Sequence, residues 1–584
     1  MPLLTKDCLE RLRERIDLAE IVGSHLELKR AGGKIKALCP FHNEKSPSFT
    51  VTAGDSHYHC FGCGAHGDAI SFLMNFLGLS FNEAIEYLAN KYAVTLEYTG
   101  VKEVAQENKR ELFEINRVTM DFFHFHLLHS EEGKGALEYL FKRGISEDFI
   151  KQFKIGYAPK GEQFQKMFYQ SEKFSEENLV KGGIYSESTK RPFFSERIMF
   201  PIHDGVGNVI GFSGRKIDEA VFGGKYVNTR ETVIFKKSRT LYGLNYSRRR
   251  IARTGKVIIV EGQIDALRLI FEGFDYAVAS QGTAFGKEHL DELVKLGVED
   301  VTICFDSDQA GNTSAMKVGQ LFQVEGVEVF VCSFAQGIDP DTFLLEHGRD
   351  AFDKLLAQRT DYLTFLVRML AQDGKAETPA GKNALVANVK KKILEWKHPL
   401  MIHEGEKLLA RLLSVPVKYI VTSVKPVEEI VPAPVKRPTD PLEGDMIRWL
   451  LLLKEPVLID LIMEHVQVSF IHDLKIARLY ELAKMLHEEK KRIDLLNLGV
   501  YLEERDLSFL KEIQSKRMNI LQAEDGVRVL CQRLIDRESI EQTNAIKRRI
   551  QAGNLSEEET FALAKEFDDI KKNKKNILKP TEKR

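Results

Sequence analysis

Cysteine is scarce in this chain, with seven residues in 584. That excludes the disulfide scaffold on which small secreted domains depend. Long apolar runs are missing as well. Trp449–Leu453 is among the longest, and Lys454 ends it, far short of the ~20 residues a helix needs to span a bilayer. No membrane partner is therefore expected. The N-terminal stretch is charged from Lys6 onward and lacks the apolar core of a secretory signal, so the expected compartment is the cytoplasm. Net charge is almost absent: 84 Lys and Arg against 85 Asp and Glu leave −1. Only local patches can then indicate a polyanionic partner.

Proline is sparse, but five of the 17 residues (Pro426, Pro432, Pro434, Pro438 and Pro441) fall within 425–444. Such a segment is expected as a semi-rigid linker. Two further composition shifts lie near 95–110 and from Lys571 onward. The apolar fraction of 43% and charged fraction of 29% belong to an ordinary globular chain, and its length suggests about three to five domains. Between about 255 and 345, β-branched runs at Val257–Val260, Tyr276–Ala279, Val301–Phe305 and Val327–Phe334 alternate with helical patterns. That alternation predicts a parallel, doubly wound sheet. Beyond the linker the spacing is helical almost throughout, and Ser556 with Glu559 predicts a capping box for a last helix from Glu557 to about Asn573. The apolar positions of that helix, Phe561, Leu563, Ala564 and Phe567, suit either docking of another chain or closure of its own core.

Three cysteines cluster. Cys39-Pro40-Phe41-His42 is followed after 17 residues by Cys60-Phe61-Gly62-Cys63. Paired knuckles of this kind can place three thiolates and one imidazole around a single ion, a closed tetrahedral set that selects structural zinc. His57, His59 and His66 lie close by, and His42 is preferred because its spacing mirrors the second knuckle. Arg30, Lys34, Lys36 and Lys45 are interleaved with Phe41, Phe49, Tyr58 and Phe61. Cations with exposed rings suit single-stranded nucleic acid, although about half of the rings are expected in the small module's core. Asp68 is a candidate cap for a helix carrying Ile70, Leu73, Met74 and Leu77 on one face.

Acidic residues mark the strand ends. Glu261 follows the first strand, Asp306 and Asp308 the third, and Asp339 and Asp341 come after the fourth. The carboxyl ends of strands border the ligand crevice of an open parallel sheet. Carboxylates converging there call for a hard divalent cation, and magnesium fits. Residues 225–256 hold ten Lys and Arg against one acidic residue, Glu231, and Arg197 and Arg215 add to them upstream. In a chain of near-zero net charge such a strip predicts a polyanion track.

Together these stretches resemble the bacterial DnaG-type DNA primases over nearly the whole chain. The resemblance implies a multidomain α/β + α architecture. It places a zinc-ribbon-like domain at 1–100, the basic N-terminal half of an RNA polymerase core at 111–255 and a Toprim metal-binding module at 256–345. The helical end of the core follows at 346–424, the linker at 425–444 and an all-helical helicase-binding domain at 445–584. Carried over residue by residue, it implies one zinc on Cys39, His42, Cys60 and Cys63. Magnesium or manganese falls to Glu261, Asp306 and Asp308, supported by Asp265, Asp339 and Asp341. Lys225 and Lys237 are implied in catalysis, and Arg197, Arg215, Tyr226 and Asn228 in nucleotide or template binding.

The implied reaction is synthesis of short RNA primers on single-stranded DNA from ribonucleoside triphosphates, with release of pyrophosphate. Glu261 is left as either metal ligand or general base. The implied partners are a DnaB-type helicase and single-strand binding protein, for a monomer working at the replication fork. Gln263 and Ile264, Arg230, Lys236 and Ile338 depart from the family's usual residues, and none of them is a metal ligand. A topoisomerase would need an additional DNA-gate region. A primase-helicase would need a P-loop, which the Gly286-Lys287 and Gly381-Lys382 pairs do not make. A non-catalytic adaptor would not need the acidic set.

Overall fold

The computed structural model describes the chain apart from residues 1–3, 32–33, 53–56, 98–103, 161–163, 167–173, 222, 281–283, 372–377, 421–439, 454, 504–505, 508, 511–512, 514–521, 553–555, 573, 575 and 579–584. No described helix is long and apolar enough to cross a membrane. The chain forms two compact units: Met1–Val101 with Pro426–Arg584, and Lys102–Lys425. Most of the proline-rich segment lies outside the described residues. Its end does not: the helix Pro441–Leu452 begins inside the stretch expected to be linker, capped by Asp440. Proline suits that first helical position because the N–H it lacks would have no intrahelical partner.

In the first unit, β1 (Lys29–Ala31), β2 (Lys34–Ala37), β3 (Phe49–Thr52), β4 (Tyr58–Cys60) and β5 (His66–Gly67) form one antiparallel sheet in sequence order. Phe49 stacks on Tyr58 with ring centroids 4.9 Å apart, and Phe72 closes on both. Phe49 and Tyr58 are buried, Phe41 is half-buried and Phe61 is 61% exposed. The rings thus divide between core and surface, as expected of a module with few other apolar groups. Asp68 caps the helix Ala69–Phe76 by accepting from Ser71 N at 2.7 Å. Ser80 and Glu83 form a capping box on the helix Phe81–Lys91.

The C-terminal part of this unit is helical. Its core holds the carboxylate of Glu443, which accepts from the amides of His472 (2.9 Å) and Asp473 (3.0 Å) and from Arg537 (2.7 Å). A buried charge is tolerable when it is satisfied in this way. The last helix, Glu557–Lys572, starts on the expected Ser556–Glu559 box. Its apolar stripe splits: Leu563 is buried, Phe567 lies beside Lys547 and Lys571, and Phe561 is 76% exposed.

The second unit opens with the long helix Val104–His129. It packs on an antiparallel sheet of β6 (Gly156–Ala158), β7 (Arg197–His203), β8 (Val209–Lys216) and β9 (Tyr226–Asn228). Next come β10 (Leu241–Tyr242), β11 (Lys256–Val260), β12 (Ala277–Ser280), β13 (Asp300–Cys304), β14 (Glu328–Val331) and β15 (Thr360–Asp361), ordered β10-β12-β11-β13-β14-β15. The inner four strands are parallel, as the alternation predicts, while β10 and β15 are short antiparallel edges. Alternate residues of β11 feed separate cores. Val257 and Ile259 join Val318 and Phe322 on one face; Ile258 and Val260 join Ile264 and Leu267 on the other. That is a doubly wound sheet with both faces covered. Arg359 fastens β15 in place, donating to Asp300 and Thr302 of β13 at 2.6 Å while its guanidinium lies 3.8 Å from the centre of the Phe330 ring.

Candidate functional site

The zinc knuckles meet through the sheet. Cys60 ends β4, and Gly64 N returns to Cys60 O at 2.9 Å, turning Cys63 back toward the first knuckle. Ligand atoms of Cys39, His42, Cys60 and Cys63 all lie within 4.8 Å of one another. The Cys39 and Cys63 sulfurs are 3.7 Å apart, and Cys60 Sγ is 3.8 Å from His42 Nδ1. Zn–S bonds of about 2.3 Å in a tetrahedron require sulfurs about 3.8 Å apart. The tautomer is set by a residue that spacing did not reveal: Glu44 Oε2 lies 3.3 Å from His42 Nε2, which leaves Nδ1 for the metal. Burial opposes ionisation of Glu44. Hydrogen bonds from the Ser48 hydroxyl and the Cys39 and Ser48 amides overcome it and hold the carboxyl below its ordinary range.

Gly62 completes the cradle, since a Cβ there would stand 2.6 Å from His42 Nε2. Of the neighbouring histidines, His66 turns Nδ1 to Gly64 O at 3.0 Å, and His59 packs against the Phe61 ring. Arg30, Lys34, Lys36 and Lys45 are all exposed.

In the second unit, the pairing of Val260 with Cys304 puts Glu261 and Asp306 on one rim. Two of the strand-end acids also cap helices. Asp308 accepts from Gly311 N and Asp339 from Thr342 N, each at 2.7 Å. Gly311 is needed beside Glu261, because a Cβ there would lie 2.8 Å from Glu261 Oε1 and 2.1 Å from Asp306 O. Burial, then Asp306 and Asp308, push the Glu261 carboxyl up to about 7. Burial, then Asp339 and Asp308, push Asp306 upward too. These acids therefore act on one another, as a cation site requires. They are gathered less tightly than the zinc ligands. Among the described residues, the other group with ligand atoms all within 4.8 Å is His472, Glu538 and Glu541, on the surface of the C-terminal helices.

Asp341, expected on the magnesium rim, is instead only 3% exposed and paired with Arg268 Nε at 2.8 Å. Arg268 also donates to Gly144 O at 2.9 Å and lies over the Phe149 ring. Asp341 N in turn donates to Asp265 Oδ1 at 3.1 Å, and burial followed by Asp339 pushes Asp265 up to about 8. Asp265 and Asp341 thus brace the rim from behind. Arg268→Met should destabilise the second unit by about 3–5 kcal/mol, because it strands a buried carboxylate. Adding Asp341→Leu should recover much of that loss. Urea unfolding checks both, and a single variant as stable as the parent would show that Asp341 needs no partner.

The basic strip is less uniform than its composition. Arg248 is buried against Glu292 (3.5 Å), Arg230 pairs with Glu187 (3.0 Å) and Lys236 with Glu231 (3.5 Å). Arg197 is 4% exposed and spends its guanidinium on Gly214 O and Gly224 O, at 3.2 and 3.0 Å. It shapes the loop before β9 and is not an open phosphate grip. Arg215 lies between the rings of Tyr139 and Tyr226 and donates to both hydroxyls. Lys225 is exposed, Tyr226 is 39% exposed, and Asn228 and Lys237 are half-buried. The Lys237 loop is latched to the sheet module. His289, fully buried, sits 3.0 Å from Lys237 O through Nε2, and Ser238 donates to Glu288. Neither His289 nor Arg268 has a local signal in the sequence.

Comparison with known proteins matches three stretches of the chain. A family model described as a CHC2 zinc finger matches residues 4–104. One for the N-terminal domain of the DNA primase catalytic core matches 123–248, and a Toprim-like model matches 258–344. A DNA primase of Chlamydia pneumoniae is 45% identical over 467 residues, covering 77% of this chain and 78% of that protein. A DNA primase of Streptomyces coelicolor is 33% identical over 417 residues, covering 70% and 65%. The crystal structure of the zinc-binding and RNA polymerase domains of the Aquifex aeolicus primase aligns with a TM-score of 0.50 at 28% identity. That alignment covers 71% of this chain and 99% of that one.

Proposed function

The chain belongs to the bacterial DnaG-type DNA primases, RNA polymerases that lay short primers on single-stranded DNA, and from that premise we propose how its own residues divide the work. Glu261, Asp306 and Asp308 hold the catalytic cation, magnesium or manganese, with Asp339 at the edge of the set. The cation, when bound, neutralises the charge that builds on the triphosphate as a 3′-hydroxyl attacks the α-phosphate and pyrophosphate leaves. Glu261 keeps its proton up to about 7, so near neutral pH it readily exchanges that proton for a cation, or takes one from the attacking hydroxyl. Lys225 and Lys237 face the polyanion, and Arg215 positions Tyr226 for a base or sugar. Asn228 stands two residues along the same strand.

The observation that carries this reading is the shared rim beyond the ends of β11 and β13, where Asp306 and Asp308 lie close enough to Glu261 to add to the effect of burial and push its carboxyl upward. The test is incubation with single-stranded DNA, labelled ribonucleotides and magnesium. Short template-dependent RNA is expected, and its absence with a zinc-loaded, folded protein would overturn the reading.

Lys237→Ala should weaken binding of single-stranded DNA, and the difference from the parent should shrink as salt rises, because each phosphate contact releases a counterion. Fluorescence anisotropy across a salt series measures it; a loss independent of salt would point to misfolding. The C-terminal helices contain none of the rim acids, and we assign them to docking on a DnaB-type helicase, with single-strand binding protein as a further partner at the replication fork in the cytoplasm. Phe561 supports this assignment, being a large apolar side chain 76% exposed on the last helix. Phe561→Asp should leave the melting temperature unchanged and reduce helicase capture about tenfold or more. Unchanged capture would remove this residue from the interface.

A further inference from the structure

The two ends of the chain share one unit, and they meet through a small set of contacts that the functions above do not explain. Arg13, on the helix Lys6–Arg15, donates through Nη2 to both oxygens of Asp494, at 3.1 and 2.8 Å. Asp494 is only 8% exposed and already caps the short helix Leu495–Gly499, accepting from Asn497 N at 2.9 Å. One carboxylate therefore ends a helix and receives a cation from a residue 481 positions away.

At the other end of that helix, Gly499 lies against the tip of the Phe81 ring. A Cβ there would stand 2.4 Å from the ring's Cζ, and Phe81 is 3% exposed. The same short helix touches the helix Ala69–Phe76 behind the zinc ligands. Leu495, Leu496 and Leu498 are buried around these contacts. A paired buried charge at one end and a contact that admits only glycine at the other define a fitted surface.

We propose that the segment Asp494–Gly499 is a docking site, within the C-terminal helices, for the zinc module of the same chain. The zinc module is then held by a specific interface in addition to its covalent connection. A partner of the C-terminal helices that prefers the docked or the undocked form would shift the balance between them.

The test uses the full, zinc-loaded chain with a specific protease site placed within residues 421–439. After cleavage of the folded protein, size exclusion reads whether the piece beginning at Asp440 stays with the remainder. Retention is expected for the parent sequence. Arg13→Ala removes the ion pair, and alanine is the best helix former, so the helix it sits on is preserved. It should raise the concentration at which the pieces separate about tenfold or more. Asp494→Asn should act in the same direction while keeping the cap, since asparagine caps well. Gly499→Leu should release the piece, with zinc content and helical circular dichroism confirming that both parts remain folded. Release from the parent sequence on cleavage would overturn the proposal, as would retention at the parent's concentration by Arg13→Ala and Gly499→Leu alike.

Discussion

Glu261→Gln, Asp306→Asn and Asp308→Asn should each reduce primer synthesis by at least about a hundredfold while leaving binding of single-stranded DNA close to the parent's. Each change is nearly isosteric and removes the charge that attracts a divalent cation. The surrounding structure should survive. Asparagine at position 308 can still accept from Gly311 N and keep the helix Gln309–Val324 capped. Glutamine at 261 fits the space that the absence of a side chain at Gly311 leaves open. Loss of charge repulsion should raise stability, since Asp306 and Asp308 oppose ionisation of Glu261, and Asp339 and Asp308 that of Asp306. A labelled-ribonucleotide assay with a parallel melting curve separates the two effects. Synthesis near the parent's level by any of the three would remove that residue from the cation site.

Cys60→Ser should abolish zinc binding and unfold the N-terminal module. Its sheet is built from strands of two to four residues, and a module of this size draws much of its folding free energy, about 10 kcal/mol or more, from the metal. Serine is a poor zinc ligand, and Cys60 Sγ also accepts from the Cys63 amide at 3.4 Å and lies 3.1 Å from the Ser48 hydroxyl oxygen. Metal analysis and the near-ultraviolet spectrum of the aromatic cluster report the change. A full equivalent of zinc in the variant would refute the ligand set. Gly62→Ala is a milder version of the same insult, because its Cβ would displace His42 without removing a ligand.

Much of this was legible in the chain itself, for physical reasons. The strands β11 to β14 are short β-branched runs, and their two-residue period sends neighbours to opposite cores. The acids fall at strand ends because the chain must turn there, and the paired knuckles are local by nature. What stayed hidden depends on contacts between distant positions. Arg268 meets Asp341 across 73 residues and His289 meets Lys237 across 52, separations with no periodic signature. Glu44 stood beside His42 in plain view, but a metal's supporting carboxylate carries no fixed spacing. Arg197 was expected to bind nucleotide or template as part of the basic strip; its burial against Gly223 and Gly224 is a tertiary event. The edge strands β10 and β15, two residues each, are too short for any pattern.

Those edges matter during synthesis of the chain. β14, sequence Glu-Val-Phe-Val, is complete by residue 331, but its outer side is covered only when Thr360 and Asp361 arrive. In the interval a nascent chain presents an unpaired, mostly apolar strand, a template on which a second nascent copy can add. Arg359, next to β15, donates to Asp300 and Thr302 of β13 and so ties this edge to an interior strand. A fragment cut before Arg359 would keep every rim acid and still carry the sticky border, so a truncated core meant to remain dispersed has to run past Asp361.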